Sequence, residues 1–238
     1  MTGTAPNPAL PPGLRLYAVG DIHGRADLLR RLLSLIEADA AGRGPAQVRV
    51  IFLGDYIDRG PDSPEVLDIL SGPPPGLYRV TCLRGNHEEA LLAFIDDPVR
   101  ARFWLEWGGM ATLRAYGVAA SPDLSAMAMR LDHALPGRHR AFLLRLPVRE
   151  VVGDYLFVHA GVDPMKPLDR QDDFDMTTIR ERFLEWNGWL GKMVVHGHTI
   201  SPVPEMLSWR IGIDTGAYAS GHLTALGLEG DRRWILST

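Results

Sequence analysis

The sequence predicts a single large α/β domain with its chemistry at strand ends, and three observations predict it. Apolar, β-branched runs alternate with helical patterns through the first 95 residues. Each of the first three runs ends in a Gly-Asp or Gly-Asn loop. A long helical stretch then separates them from a second set of strands. At 238 residues and 46% hydrophobic, the chain is long enough to bury a sizeable core and fits one large domain better than two small ones.

The elements follow in order. Residues 1–13 hold four prolines (Pro6, Pro8, Pro11, Pro12) among small residues, a composition poor in surface to bury, and read as a disordered tail ahead of a domain over 14–238. Residues 15–19 are extended, and Leu28, Leu29, Leu32, Leu33 and Ile36 then recur at helical spacing. The unit repeats: residues 48–53 form a second strand, and 66–70 lie in a helix that Pro61 or Pro64 starts. Residues 78–83 form the third strand. Three near-continuous apolar strands separated by helices call for a parallel sheet covered on both faces, with all three motif loops at the edge where open α/β sheets place ligands.

From about 89 to 146 the pattern is helical (Leu91, Leu92, Phe94, Ile95; Phe103, Trp104, Trp107; Met127, Leu131, Leu135) and carries no catalytic motif. It reads as an insertion that covers the sheet and shapes one side of a cleft. Residues 148–152 and 155–158 flank Gly153-Asp154, a two-residue hairpin signal. With 193–195, 210–213 and 223–228 they are expected to build a second, more antiparallel sheet.

Composition narrows the partners. With 25 basic and 29 acidic residues, no nucleic-acid footprint or polybasic membrane surface is evident. The lone Cys82 excludes an internal disulfide framework and agrees with a reducing compartment. The N-terminus lacks the layout of a signal peptide, and no apolar run approaches the roughly 20 residues of a membrane span. A soluble, cytoplasmic protein is expected, while its oligomeric state is left open.

The residues at the strand ends suit two divalent cations sharing one carboxylate. Asp21 and His23, two apart, can face one ion from an extended strand end. Asp55 ends the neighbouring strand, where its carboxylate can bridge, and Asn86 offers a neutral oxygen from the third. His159 and His198, each following an apolar run, complete a second ion. Asp, Asn and His are poor core residues, and five strands placing one each at their ends is not a packing pattern.

These blocks, Gly-Asp-Ile-His-Gly (20–24), Gly-Asp-Tyr-Ile-Asp-Arg-Gly (54–60), Arg-Gly-Asn-His-Glu (84–88), His-Ala (159–160) and Gly-His-Thr (197–199), resemble the calcineurin-like metallophosphoesterases. More narrowly, they resemble the phosphoprotein phosphatase branch and its bacterial and phage-type serine/threonine phosphatases. The likeness extends through residues 179–182 and 213–217 and covers nearly all of 15–228.

The resemblance implies a four-layer α/β/β/α sandwich of two mixed sheets with a helical insertion. It implies a first metal on Asp21, His23 and Asp55 and a second on Asp55, Asn86, His159 and His198. Manganese is the expected ion, with iron or zinc also compatible. Ile200 stands where many relatives place a further histidine, which fits this branch and disfavours a nuclease of the four-histidine kind. The implied reaction is phosphate ester hydrolysis by in-line attack of a metal-bridging hydroxide. Arg59 and, by resemblance, Arg180 grip the phosphoryl oxygens, and His87, oriented by Asp58, protonates the leaving group. His196 is read as supporting or structural, Tyr218 as near the pocket, and His133, His139 and His222 as structural or exposed.

The expected substrate is a phosphoprotein or a small phosphorylated molecule. A symmetrical dinucleoside polyphosphate hydrolase is the enzymatic alternative, and a phosphoprotein-binding pseudophosphatase the non-catalytic one. A cysteine-nucleophile phosphatase is excluded, because the arginine it needs six residues after Cys82 is Glu88.

Overall fold

The computed structural model describes residues 7–73 and 78–238. Its elements run β1 (Leu14–Val19), α1 (Ala26–Gly42), β2 (Gln47–Phe52), α2 (Ser63–Ser71), β3 (Arg79–Cys82), α3 (Asn86–Asp96), α4 (Met110–Ala115), α5 (Leu124–Ala134) and α6 (Gly137–Leu144). The second half contains β4 (Arg149–Val152), β5 (Tyr155–Val158), α7 (Asp173–Thr178), α8 (Glu181–Leu184), β6 (Met193–His196), β7 (Glu205–Met206), β8 (Arg210–Gly212), α9 (Ala217–Ser220), β9 (Thr224–Glu229) and β10 (Arg232–Ser237).

Two five-stranded sheets, ordered β10-β9-β1-β2-β3 and β4-β5-β6-β8-β7, stack face to face. Strand alternation builds the three cores between four layers. On β1, Leu14, Leu16 and Ala18 face the second sheet, while Tyr17 and Val19 pack under the helices. On β5, Tyr155 and Phe157 face the first sheet, while Leu156 and Val158 pack with Phe183 and Met176 on the outer side. The architecture is therefore the α/β/β/α sandwich of two mixed sheets.

Three expectations need correcting. The strand near 223–228 belongs to the first sheet, paired antiparallel with β1, and β10 extends it as a hairpin. The Thr238 hydroxyl, which accepts from Leu223 N at 3.0 Å, helps close that hairpin. The second sheet is no more antiparallel than the first, since β5, β6 and β8 run parallel and only β4 and β7 reverse. Finally, residues 7–13 are not loose: Leu10 is buried in the inter-sheet core, its N–H bonds Gly230 O at 2.9 Å, and Pro8 O accepts from Tyr155 Oη at 3.0 Å. Prolines lack a donor but keep carbonyls, and these lock the segment. Residues 1–6 of the expected tail lie outside the described residues.

The helical stretch after α3 packs on the helix side of the first sheet through Trp104, Leu113, Met127, Leu131 and Leu143. No helix among the described residues is long and apolar enough to cross a membrane.

Candidate active site

The loops after β1, β2, β3, β5 and β6 converge on one cleft edge, because all five strands run parallel within their sheets and end on the same side. Asp55 stands at the centre. Its Oδ1 lies 3.4 Å from His159 Nε2, and its Oδ2 lies 3.5 Å from His23 Nε2 and 3.8 Å from His87 Nε2. Among the described residues, two groups are close enough to hold a metal ion: His23, Asp55 and His87; and Asp55, His159 and His198. They share Asp55, as a bridging carboxylate would require.

The backbone sets which imidazole nitrogens face inward. His23 Nδ1 donates to Ile57 O at 2.8 Å and His159 Nδ1 to Leu53 O at 3.0 Å, which leaves each Nε2 as the available lone pair. His23 Nε2 and His198 Nε2 are buried with no hydrogen-bond partner among the described residues. Buried imidazole nitrogens are rarely left orphaned, so the donor set fits divalent cations. Burial lowers the pKa of His23 to about 3, and burial together with the charge of His159 lowers that of His198 to about 2, so both are neutral as ligation requires. Burial opposes charge on His159 too, but the carboxylates of Asp55, Asp21 and Glu88 outweigh it and lift its pKa to about 10.

The remaining expected ligands are close by. Asn86 Oδ1 is 3.0 Å from His159 Nε2. Asp21 lies outside both three-residue groups; its carboxylate accepts the His198 N–H at 3.0 Å, and burial beside Asp214 raises its pKa well above the ordinary range.

His87 Nδ1 donates to Asp58 Oδ2 at 2.7 Å. Its Nε2 then accepts from Arg59 Nη2 at 3.2 Å. Burial would lower the His87 pKa, but Asp55 and Asp58 outweigh it and raise it. Arg59 and Arg180 line a cleft of about 450 Å³ with Asn86, His87, Trp107, Phe174, Thr178 and His198. Tyr218 reaches the site, with its ring 4.8 Å beneath the Arg59 guanidinium and 5.5 Å from the His23 ring. His196 points away, packed on Phe183 and 3.2 Å from Arg210 Nη1.

Sequence reasoning missed several supports. Buried Glu88 accepts the N–H groups of Asp55, Tyr56 and Gly85 at 2.8 to 2.9 Å, tying the second motif loop to the third. Its place within the Gly-Asn-His-Glu block was the available signal. The helical stretch also touches the site: Trp104 Nε1 donates to Asp58 Oδ2 at 2.7 Å and Thr112 Oγ1 to Asp58 Oδ1 at 2.6 Å. Nothing local marks these two residues.

The calcineurin-like phosphoesterase family profile matches residues 14–223, most of the chain. The chain belongs to that family. Among individual proteins, it is 32% identical over 151 residues to a symmetrical bis(5'-nucleosyl)-tetraphosphatase of Methylococcus capsulatus, a match covering 63% of this chain and 44% of that one. The chain thus spans under half the length of several curated relatives it matches. It is 29% identical to serine/threonine-protein phosphatase 1 of Salmonella typhimurium, over 90% of this chain and 92% of that one. The crystal structure of a candidate diadenosine tetraphosphatase superposes with a TM-score of 0.64 at 22% identity, covering 96% of this chain and 98% of that one, a likeness of fold.

Proposed function

We propose that this phosphoesterase is a dinuclear metal-dependent phosphomonoesterase acting on phosphoserine and phosphothreonine in proteins. The observation that carries the hydrolytic part is Asp55, whose two carboxylate oxygens each face a separate cluster of imidazoles. Asp21, His23 and Asp55 would hold one ion, and Asp55, Asn86, His159 and His198 the other, with manganese the expected metal. Such cations, when bound, supply the charge that acidifies water and offsets the phosphate's negative oxygens.

The chain's own groups do the rest. Arg59 and Arg180 converge on the cleft with planar forks suited to equatorial phosphoryl oxygens. Phosphate entering there competes with His87 Nε2 for the Arg59 guanidinium. Freed of Arg59, His87 Nε2 takes up a proton from solvent and, with Nδ1 held by Asp58, delivers it to the departing alkoxide. The serine/threonine assignment draws on the near full-length match to a bacterial protein phosphatase.

A second reading, cleavage of symmetrical dinucleoside tetraphosphates, is favoured by the higher identity, 32% and 36%, to two such hydrolases over 63% of the chain. Parallel rates on phosphoserine, phosphothreonine and phosphotyrosine peptides and on a dinucleoside tetraphosphate, with manganese, iron or zinc, decide between them. Fastest phosphate release from phosphoserine or phosphothreonine is expected. Preferential release of nucleotides would replace this reading with the second, and no turnover with any metal would sink both.

A further inference from the structure

We infer that the turn spanning Trp104 to Thr112 in the helical stretch is a positioning cassette for the catalytic groups, with Trp104 and Thr112 fixing His87 through Asp58. The inference rests on the reading of His87 as the proton donor to the leaving group.

Asp58 is fully buried, and its carboxylate accepts three side-chain hydrogen bonds. Oδ2 takes His87 Nδ1–H and Trp104 Nε1–H, both at 2.7 Å, and Oδ1 takes the Thr112 hydroxyl at 2.6 Å. Thr112 Oγ1 also accepts the Asp58 N–H at 3.0 Å, so one side chain clamps both ends of the residue. Asp58 needs such a clamp. It and Arg59 have φ of 72° and 66°, a left-handed conformation that persists in non-glycine residues only where surroundings hold it.

The same turn holds Arg59. Gly108 O accepts the Arg59 N–H at 3.3 Å, and Trp107 O lies 3.4 Å from Arg59 Nε. Within Leu105–Gly109 the helical path kinks at Gly108, whose φ is 116°. A Cβ at Gly108 would sit 2.8 Å from Arg59 Cγ. Here the irregularity brings two carbonyls against the arginine and an indole and a hydroxyl against the aspartate in one short segment.

Hydrogen bonds from two neutral donors lock the carboxylate plane, and the plane locks the imidazole. Losing one should let His87 rotate without emptying the site. The test is Thr112→Val, with Thr112→Ser as the conservative control and Trp104→Phe as a second probe. Each is compared on p-nitrophenyl phosphate, whose leaving group needs no acid, and on an alkyl ester such as phosphoserine, alone and combined with His87→Asn. Metal content is measured alongside. Thr112→Val should lose about tenfold in kcat on the alkyl ester, the scale of a small misplacement of a catalytic group. It should lose far less on the aryl ester, keep its metal, recover with serine, and lose nothing further in the His87→Asn background. Equal losses on both esters, or losses that add to those of His87→Asn, would make the two residues structural only and overturn the inference. If His87→Asn itself spares alkyl esters, the acid reading fails first, and the cassette with it.

Discussion

The strand-end loops and the helical stretch contribute to the same cleft by opposite means. The loops carry their chemistry in contiguous blocks: His23, Asp55, Asp58, Arg59 and His198 all sit in them, and all have left-handed φ values between 46° and 72°. Among the described residues no other non-glycine position does. Backbone strain of this kind, about 1–3 kcal/mol per residue, aims side chains that a relaxed loop would scatter. The helical stretch supplies none of the charged groups but holds two of those strained residues in place. Chemistry and its enforcement are therefore encoded in different stretches of chain, and only the former is compressed into motifs.

The largest effect should come from the loops. Asp55→Asn keeps the size of the side chain but removes the charge shared by both imidazole clusters. It should lower kcat by several orders of magnitude and cut bound metal, since one neutral oxygen replaces a bridging carboxylate. Atomic spectroscopy of the purified variant beside its rate checks this; full metal occupancy would displace Asp55 from the centre of the site.

His87→Asn should retain metal yet lose about 10²–10⁴ in kcat on alkyl phosphates, the usual worth of a positioned acid, and much less on p-nitrophenyl phosphate. A plot of rate against leaving-group pKa should steepen. An unchanged slope would assign His87 to the His23–Asp55 cluster, where it also lies, in preference to proton transfer.

Gly108→Ala probes the helical stretch where it meets Arg59. The added methyl lies in a backbone region hostile to alanine and against Arg59 Cγ and N, at 2.8 and 2.9 Å. KM for small phosphate esters should rise about tenfold, by loss of a charge-assisted contact, with metal content unchanged. A KM equal to that of the parent would separate the turn from Arg59.

What the sequence made legible follows the same division. The β1, β2 and β3 units and the convergence of Asp21, His23, Asp55, Asn86, His159 and His198 could be read because strand periodicity and strand-end position are local properties. The placement of β9 beside β1 could not, because an apolar run does not state which sheet edge it joins. Nor could the packing of residues 7–13, which depends on Asp154 and Gly230 more than 140 positions away. Trp104 and Thr112 sit in a stretch that looks like ordinary helical core, and their hydrogen bonds run to Asp58, 46 and 54 residues upstream.

The smallest effect tests whether the helical stretch serves the site everywhere or only at the turn. Tyr116 lies four residues after Thr112, at the end of α4, and also donates through a half-buried hydroxyl: its Oη is 2.9 Å from His139 Nδ1, whose Nε2 is 2.7 Å from Asp68. This chain ties α4, α6 and α2 together and reaches no residue of the cleft. Tyr116→Phe should therefore cost about 0.5–1.5 kcal/mol of stability, the net worth of one hydrogen bond, and leave kcat and KM alone. At this chain length that is a fall in Tm of a few degrees, on the order of 2–4 °C per kcal/mol. Thr112→Val removes a hydroxyl from the same helix and should lower kcat on alkyl esters as well as Tm. If both variants lowered Tm and neither changed turnover, the helix would act as scaffold throughout; if Tyr116→Phe slowed turnover too, coupling would spread through the helical layer and the boundary drawn at Thr112 would have to move outward.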